Sequence, residues 1–370
     1  MVIMALDHVR DYFHNAAQQF QPDDLTRTTA AIFLTRWITH FCAPVFMFAA
    51  GASAFMWYRN GHSKGELTGY LVKRGLWLVL LELTVLRFAM NFSLVKGPVL
   101  LTVLWALGWS MVALGLLSWL PVRVLAMLSV VVIALHNLLD PITFDGKAWW
   151  WNLLHQPGLV GQPAGVVIVV AYPLIPWIFV MAAGFCFGHI LVMDADARQK
   201  WLIRIGLGLT VLFVVIRAIN IYGDPRPWSM ETMPVLSFLR CTKYPPSLDF
   251  LLMALGPAML LLAWFYRLDL PKTNPLVLIG RVPLFYFLGH FLLLHLLTVP
   301  FAWIAYGKGW FALNAPPAAG GPADLFPPHY GYGLGVVYFA WILVVILMYP
   351  LCLWFGKLKQ RSRNPWLAYL

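Results

Sequence analysis

The chain has 370 residues, 61% of them hydrophobic and only 11% charged, with a formal net charge of +11 and a mean hydropathy of +0.75. Soluble domains are nearer 45–50% apolar, so the composition excludes an ordinary soluble enzyme and predicts an all-α, polytopic integral membrane protein. The positive charge is scattered over short loops rather than gathered in one patch, which argues against a nucleic-acid partner and matches a membrane topology signal.

The first stretch that carries chemistry is the first helix. After the apolar run Met1 to Leu6 comes Asp7-His8-Val9-Arg10-Asp11-Tyr12-Phe13-His14, with two Asp, one Arg and two His within eight positions. Helical spacing places Asp7, Arg10, Asp11 and His14 on one face, with His8 beside it. Unpaired charge in hydrocarbon is costly, so these groups must pair, meet water or act chemically. A solvated helix end is the plain alternative. Thirteen or fourteen residues rise roughly 20 Å, against about 30 Å of hydrocarbon. Either the opening helix is a half-span, or the natural start is expected to lie upstream of Met1.

Apolar runs long enough to span follow near 32–57, 71–91, 99–119, 122–139, 165–191, 201–221, 247–266, 275–304 and 333–356. With the opening helix they make about ten membrane helices in a single domain, 1–370. Polar, Trp- and Pro-rich stretches separate them at 141–164, 223–246 and 305–332. Loops on one side carry 14 Lys and Arg, and those on the other carry 7. The positive-inside rule then puts the C-terminus in the cytoplasm and the three long loops outside.

Several ionisable residues fall within or at the ends of these runs. Arg36 and His40 are four apart, Glu82 and Arg87 lie inside one run, and His136, Asn137 and Asp140 close another. Arg217, Asn220 and Asp224 have the spacing of one helix face. His290 and His295 share the run 275–304. Glu82 with Arg87 reads as a structural ion pair, and His295 as a satisfied core histidine. Tyr172-Pro173-Leu174-Ile175-Pro176-Trp177 puts two prolines into its run, which breaks or kinks the helix there. Lys243-Tyr244-Pro245-Pro246-Ser247 leads into a helix start, where the prolines and serine are ordinary but Lys243 and Tyr244 are not explained. The four Cys share no CxxC spacing, so no disulfide framework or metal site is expected. P-loop, GxGxxG, GxSxG, HExxH and CxxCH motifs are absent, which leaves a membrane-embedded reaction using His and carboxylates.

Met4-Ala5-Leu6-Asp7-His8-Val9-Arg10-Asp11-Tyr12-Phe13, Phe46-Met47-Phe48-Ala49-Ala50-Gly51, Trp105-Ala106-Leu107-Gly108-Trp109, Pro173 to Trp177, Lys243 to Ser247 and His290 to His295 occur in this order. As a set they resemble the bacterial members of the heparan-alpha-glucosaminide N-acetyltransferase catalytic-domain family, within the wider integral-membrane acyltransferases. The resemblance runs from residue 1 to about 300. It implies an acyltransferase of the bacterial inner membrane that takes an acyl group, usually acetyl, from cytoplasmic acyl-CoA. The acceptor is a sugar or other small molecule at the outer face, and no metal is required. The lysosomal relative carries an Asn and then an essential His on this helix, approximated here by Asp7-His8 and His14. The wider superfamily places its key His nearer His8. His290 resembles a late-helix His of the lysosomal enzyme. An Asp-x-x-Arg-Gly signature usual at the family's start is missing here.

Acyl transfer from a thioester needs a base or acyl carrier and donors for the oxyanion. His8 or His14 would supply the first, with Asp7 or Asp11 orienting the imidazole, and His290 completes the catalytic candidates. Arg10, Arg36, His40, Lys243 and Tyr244 are candidates for substrate binding. His8 or His14, with Asp7 or Asp11, Arg36 and His290, are expected to line one cavity open to the outer face and reachable by the acyl thioester from inside, since convergence removes the need for separate buried partners. A secondary transporter or flippase of a polar solute or lipid-linked glycan competes, since Pro-broken helices and midplane charges suit one, although no inverted repeat is visible. A non-catalytic membrane scaffold is a third class. Reporter fusions should place residues 141–164 and 305–332 outside and the C-terminus inside; cytoplasmic signal from either loop would overturn this topology.

Overall fold

A computed structural model describes residues 1–144, 148–268, 270–271 and 273–362. Lys147, Lys272 and Arg363 of the loop charge count lie outside the described residues. In chain order the helices are α1 (Val2–Phe13), α2 (Ala30–Trp37), α3 (Cys42–Arg59), α4 (Lys64–Leu81), α5 (Arg87–Asn91), α6 (Val103–Leu117), α7 (Val122–Leu135) and α8 (Trp149–Leu154). They continue with α9 (Trp177–Leu191), α10 (Ala195–Ile219), α11 (Pro234–Leu239), α12 (Leu248–Phe265), α13 (Pro275–Gly280), α14 (Pro283–Tyr306) and α15 (Leu334–Arg361). Among the described residues, six helical stretches are long and apolar enough to cross a membrane: Ala30–Arg59, Val122–Leu139, Ala195–Ile219, Leu248–Phe265, Pro283–Tyr306 and Leu334–Arg361. α6 and α9 are shorter apolar helices. The protein is an all-α, multi-pass membrane protein, as its composition requires.

Prolines and local caps set the element boundaries. The apolar run 165–191 is not one helix. Its first part forms β3 (Ile168–Val170), and the helix begins only after Pro173 and Pro176, because proline has no N–H to continue the helical ladder. The run 99–119 likewise starts as β1 (Val99–Leu101) before α6. β3 pairs parallel with β1 and antiparallel with β2 (Gly158–Gly161), giving the order β1-β3-β2. The run 275–304 divides into α13 and α14, each with proline in its first turn. A capping box of Ser63 and Glu66 starts α4, and Ser247 caps α12 by accepting from the Phe250 amide. α10 ends at Ile219 with Asn220 in the left-handed region at φ 60°, so Arg217, Asn220 and Asp224 do not share one helix.

The chain forms two compact units. The first comprises the described residues of Met1–Thr39, Leu83–Pro98 and Asp269–Leu370. Its core holds Val9, Tyr12 and Phe13 of α1, Leu294 of α14 and Val337, Ala340 and Val344 of α15, all buried. Polar fasteners complete it: Trp341 Nε1 donates to the Val2 carbonyl at 2.8 Å, Tyr12 to the Met90 carbonyl at 3.0 Å, and Tyr330 to the Tyr12 carbonyl at 3.1 Å.

The second unit comprises His40–Glu82 and Val99–Leu268. Glu82 does not serve as an ion-pair partner for Arg87. It accepts the backbone N–H groups of Thr102, Leu104 and Trp105 at 2.7, 3.1 and 3.3 Å and so caps α6. Arg87 donates to the carbonyls of Val95 and Gly97. α3 and α9 cross at glycine: a side-chain carbon on Gly51 would strike the Met181 carbonyl, and one on Gly184 the Phe48 carbonyl. Gly51→Val should therefore lower the unfolding temperature, at a cost of roughly 1–3 kcal/mol or more for overpacking. Gly208→Ala on α10, where nothing lies within 4 Å, should be neutral or mildly stabilising. Equal unfolding temperatures for the two variants would contradict the close crossing.

Candidate active site

Asp7 is 7% exposed and Arg10 4%, so the first helix carries two opposite charges into the interior of the first unit. Arg10 lies 3.4 Å from Asp7 and 2.6 Å from Asp11. The second Asp7 oxygen is held by Arg36 of α2. The 3-4 periodicity of α1 brings Asp7, Arg10 and Asp11 together, and α2 delivers the second guanidinium. Arg36 also points at Thr39 Oγ1, 3.4 Å away. A lone buried carboxylate would cost several kcal/mol, and two guanidinium groups offset that cost.

His8 sits on the adjoining face. Its Nδ1 is 2.7 Å from Nε2 of the fully buried His290 on α14, and Phe291 stacks on its ring with centroids 4.1 Å apart. Phe287 meets the same ring edge-on at 6.2 Å. His290 Nδ1 lies 3.0 Å from the Tyr286 carbonyl one turn back. A carbonyl only accepts, so His290 carries its proton on Nδ1 and presents a lone pair at Nε2. His8 must then donate from Nδ1, and when both rings are neutral its own lone pair is on Nε2. The assignment follows from the hydrogen-bond pattern.

His14 lies past the end of α1. Its backbone bridges to Tyr332, with the Asn15 amide on the Tyr332 carbonyl and the Tyr332 amide on the Phe13 carbonyl. The ring is buried and its Nδ1 has no hydrogen-bond partner. Burial pushes the His14 imidazole down to about 4, and the charge of Arg10 acts in the same direction. In the loop ahead of α15, burial raises the Tyr330 hydroxyl far above its usual range, with Tyr332 and Tyr306 adding to the effect.

The remaining candidates belong to the second unit. His40 packs its ring against Phe250, centroids 5.2 Å apart. Lys243 is 8% exposed and lies over the Tyr244 ring at 5.3 Å, while the Tyr244 hydroxyl is 3.5 Å from that of Tyr172. Other polar residues there are fasteners. Asp224 accepts from the amides of Arg226 and Thr242 and the hydroxyls of Thr242 and Ser247. Arg217 donates to the carbonyls of Arg226, Ser237, Phe238 and Arg240. Among the described residues no group of three or more His, Cys, Asp and Glu is placed to hold a metal.

The sequence singled out Asp7, His8, Arg10, Asp11, Arg36 and His290, and all six belong to the charge cluster or the histidine pair of the first unit. It overlooked Phe291 and the Tyr286 carbonyl as neighbours of those histidines. The i−4 spacing of Tyr286 to His290 was a visible signal for the second; nothing local announces the first. A family model described as heparan-alpha-glucosaminide N-acetyltransferase, catalytic, matches residues 4–222. None of the curated proteins matches the chain. Asp7, His8 and Arg36 fall inside the matched stretch, whereas His290 and the Lys243–Ser247 motif lie beyond it.

Two outcomes test the geometry. Arg36→Gln should cost roughly 3 kcal/mol in an unfolding measurement, the lower end for a broken buried pair because Arg10 still faces the carboxylate. Adding Asp7→Asn should recover part of that loss, and strict additivity would contradict the pairing. The second outcome concerns pH. The folded-state pKa of His14 lies below its ordinary value of 6.5, so the stability it contributes is present above pH 6.5 and lost as the pH falls toward 4. His14→Gln should flatten the fall in unfolding temperature over that window; an unchanged slope would show that the ring is not buried.

Proposed function

Because the chain belongs to the heparan-alpha-glucosaminide N-acetyltransferase catalytic family, a family of membrane acetyltransferases, we propose that it moves an acyl group, acetyl in the first instance, from acyl-CoA to a sugar or other small acceptor. In this reading residues 1–370 act as one domain in a bacterial inner membrane, with the C-terminus cytoplasmic and the acceptor at the outer face.

The observation that supports the reading is the His8–His290 contact. With its Nδ1 proton committed to His290, His8 offers Nε2 as the basic nitrogen. The acceptor's hydroxyl or amine bonds to the thioester carbonyl carbon while Nε2 takes its proton. The carbon–sulfur bond then breaks, and the departing thiolate of CoA receives that proton. His290, fixed by the Tyr286 carbonyl, orients the His8 ring and stabilises its cationic form through the same contact. Arg36 faces the anionic groups of the donor or the developing oxyanion, with Asp7 balancing part of its charge and Arg10 holding Asp7 and Asp11 in register. This reading assigns the base to His8 rather than His14, whose place past the helix end ties α1 to the loop ahead of α15. His40, Lys243 and Tyr244 remain proposed substrate contacts.

The test is transfer from labelled acetyl-CoA to an amino sugar by the purified protein. His8→Ala should lower transfer by roughly 10² to 10⁴, the range for a general base, with the unfolding temperature kept. His14→Ala should retain transfer. His295→Ala should chiefly cost stability, because both ring nitrogens of that buried residue face carbonyls, of Ala89 and Ala312. Full transfer by the His8→Ala, His290→Ala double variant would overturn the role given to this pair, and no transfer by the wild-type chain would favour a transporter.

A further inference from the structure

At one end of the second unit, five helix ends surround a cavity of about 200 Å³. They are the last turns of α3, α6 and α9 and the first turns of α4 and α7. Phe55, Leu67, Leu125 and Phe185 make its walls apolar, while Lys64 and His189 stand among them as polar groups. The volume is below the roughly 300–1,000 Å³ typical of a site that swallows a whole small ligand, so it fits one segment of a longer molecule.

The mouth is basic. Lys64 is the first residue of α4 and spends one of its three donors on the Trp119 carbonyl at 3.2 Å. Arg59 ends α3 and Arg123 lies in the first turn of α7. The N-termini of α4 and α7 add partial positive charge. The nearby acid, Glu66, is engaged in its capping box, accepting the Ser63 amide at 2.7 Å. An apolar interior with Lys64 in its lining, at the ends of apolar helices, suits an amphiphile with an anionic head. A neutral sugar would leave the apolar walls of Phe55, Leu67, Leu125 and Phe185 unmatched, and a free phosphate would leave them empty.

We propose that this cavity binds a segment of one acyl chain of an anionic phospholipid, with the phosphate resting at Lys64. The bound lipid cements the ends of α3, α4, α6, α7 and α9 to each other. The role is independent of the His8–His290 reading and stands or falls separately.

The test uses the full-length protein in nanodiscs containing phosphatidylglycerol and phosphatidylcholine, followed by native mass spectrometry of retained lipid. The wild-type chain should retain one phosphatidylglycerol with about fivefold preference, the size expected from one basic residue near a membrane surface. Lys64→Gln should erase the preference. Leu125→Trp, which fills the cavity, should abolish retention of either lipid, and Lys357→Gln, at the far end of α15, should change nothing. Were Leu125→Trp to misfold, Lys64→Gln alone decides the matter. Equal retention of both lipids by the wild-type chain, or retention unaltered in Lys64→Gln, would overturn the proposal. So would displacement of the lipid by added coenzyme A, which would give the cavity to the acyl donor.

Discussion

The carboxylate of Asp7, buried between Arg10 and Arg36, is the constraint on which the first unit depends. In a chain this apolar an unpaired carboxylate would cost several kcal/mol, and the two guanidinium groups together offset that cost when α1 takes its place. That pairing fixes the rotation of α1 about its axis. With Asp7 turned toward Arg36, His8 turns toward α14, and Val9, Tyr12 and Phe13 enter the core. The charge cluster and the histidine pair are therefore two consequences of one helix orientation.

The second unit meets the same constraint differently. Glu82 and Arg217 bond chiefly to backbone groups, and Arg217 also lies 3.7 Å from Asp249. Glu82 serves the open N–H groups at the start of α6, as the exposed donors of a helix start demand. Arg217 gathers carbonyls from the irregular segment after α10, and Asp224 ties that segment to the start of α12 through Thr242 and Ser247. Irregular backbone near a membrane survives only where such partners are supplied. Charge alone is thus a poor marker of chemistry in this protein. His8 also has a hydrogen-bond partner, His290, that is itself held by a third group, the Tyr286 carbonyl.

Glycine does the complementary work in the apolar parts. The near contact of α3 and α9 at Gly51 and Gly184 follows the rule that small residues let membrane helices approach backbone to backbone. It lets dispersion contacts replace the hydrophobic drive that lipid removes.

The all-α membrane class, the rough positions of the spans and the dense ionisable stretch at Asp7–His14 were legible in the sequence, because composition and periodicity report local burial directly. That Pro173 and Pro176 break or kink their run was legible too, since proline acts on its own backbone. The splitting of the runs 99–119 and 165–191 into strand and helix was not, as apolar content does not distinguish a buried strand from a buried helix. Nor did charge spacing reveal that Glu82 caps α6 or that Arg217 clamps carbonyls. The sequence left His8 and His14 as equals, six positions apart on one helix. Only the tertiary structure separates them, by bringing His290, 282 residues away, to His8 and tying the end of α1 at His14 to Tyr332. Contacts at that separation depend on how whole helices pack, and helix packing leaves no trace in the local spacing of residues.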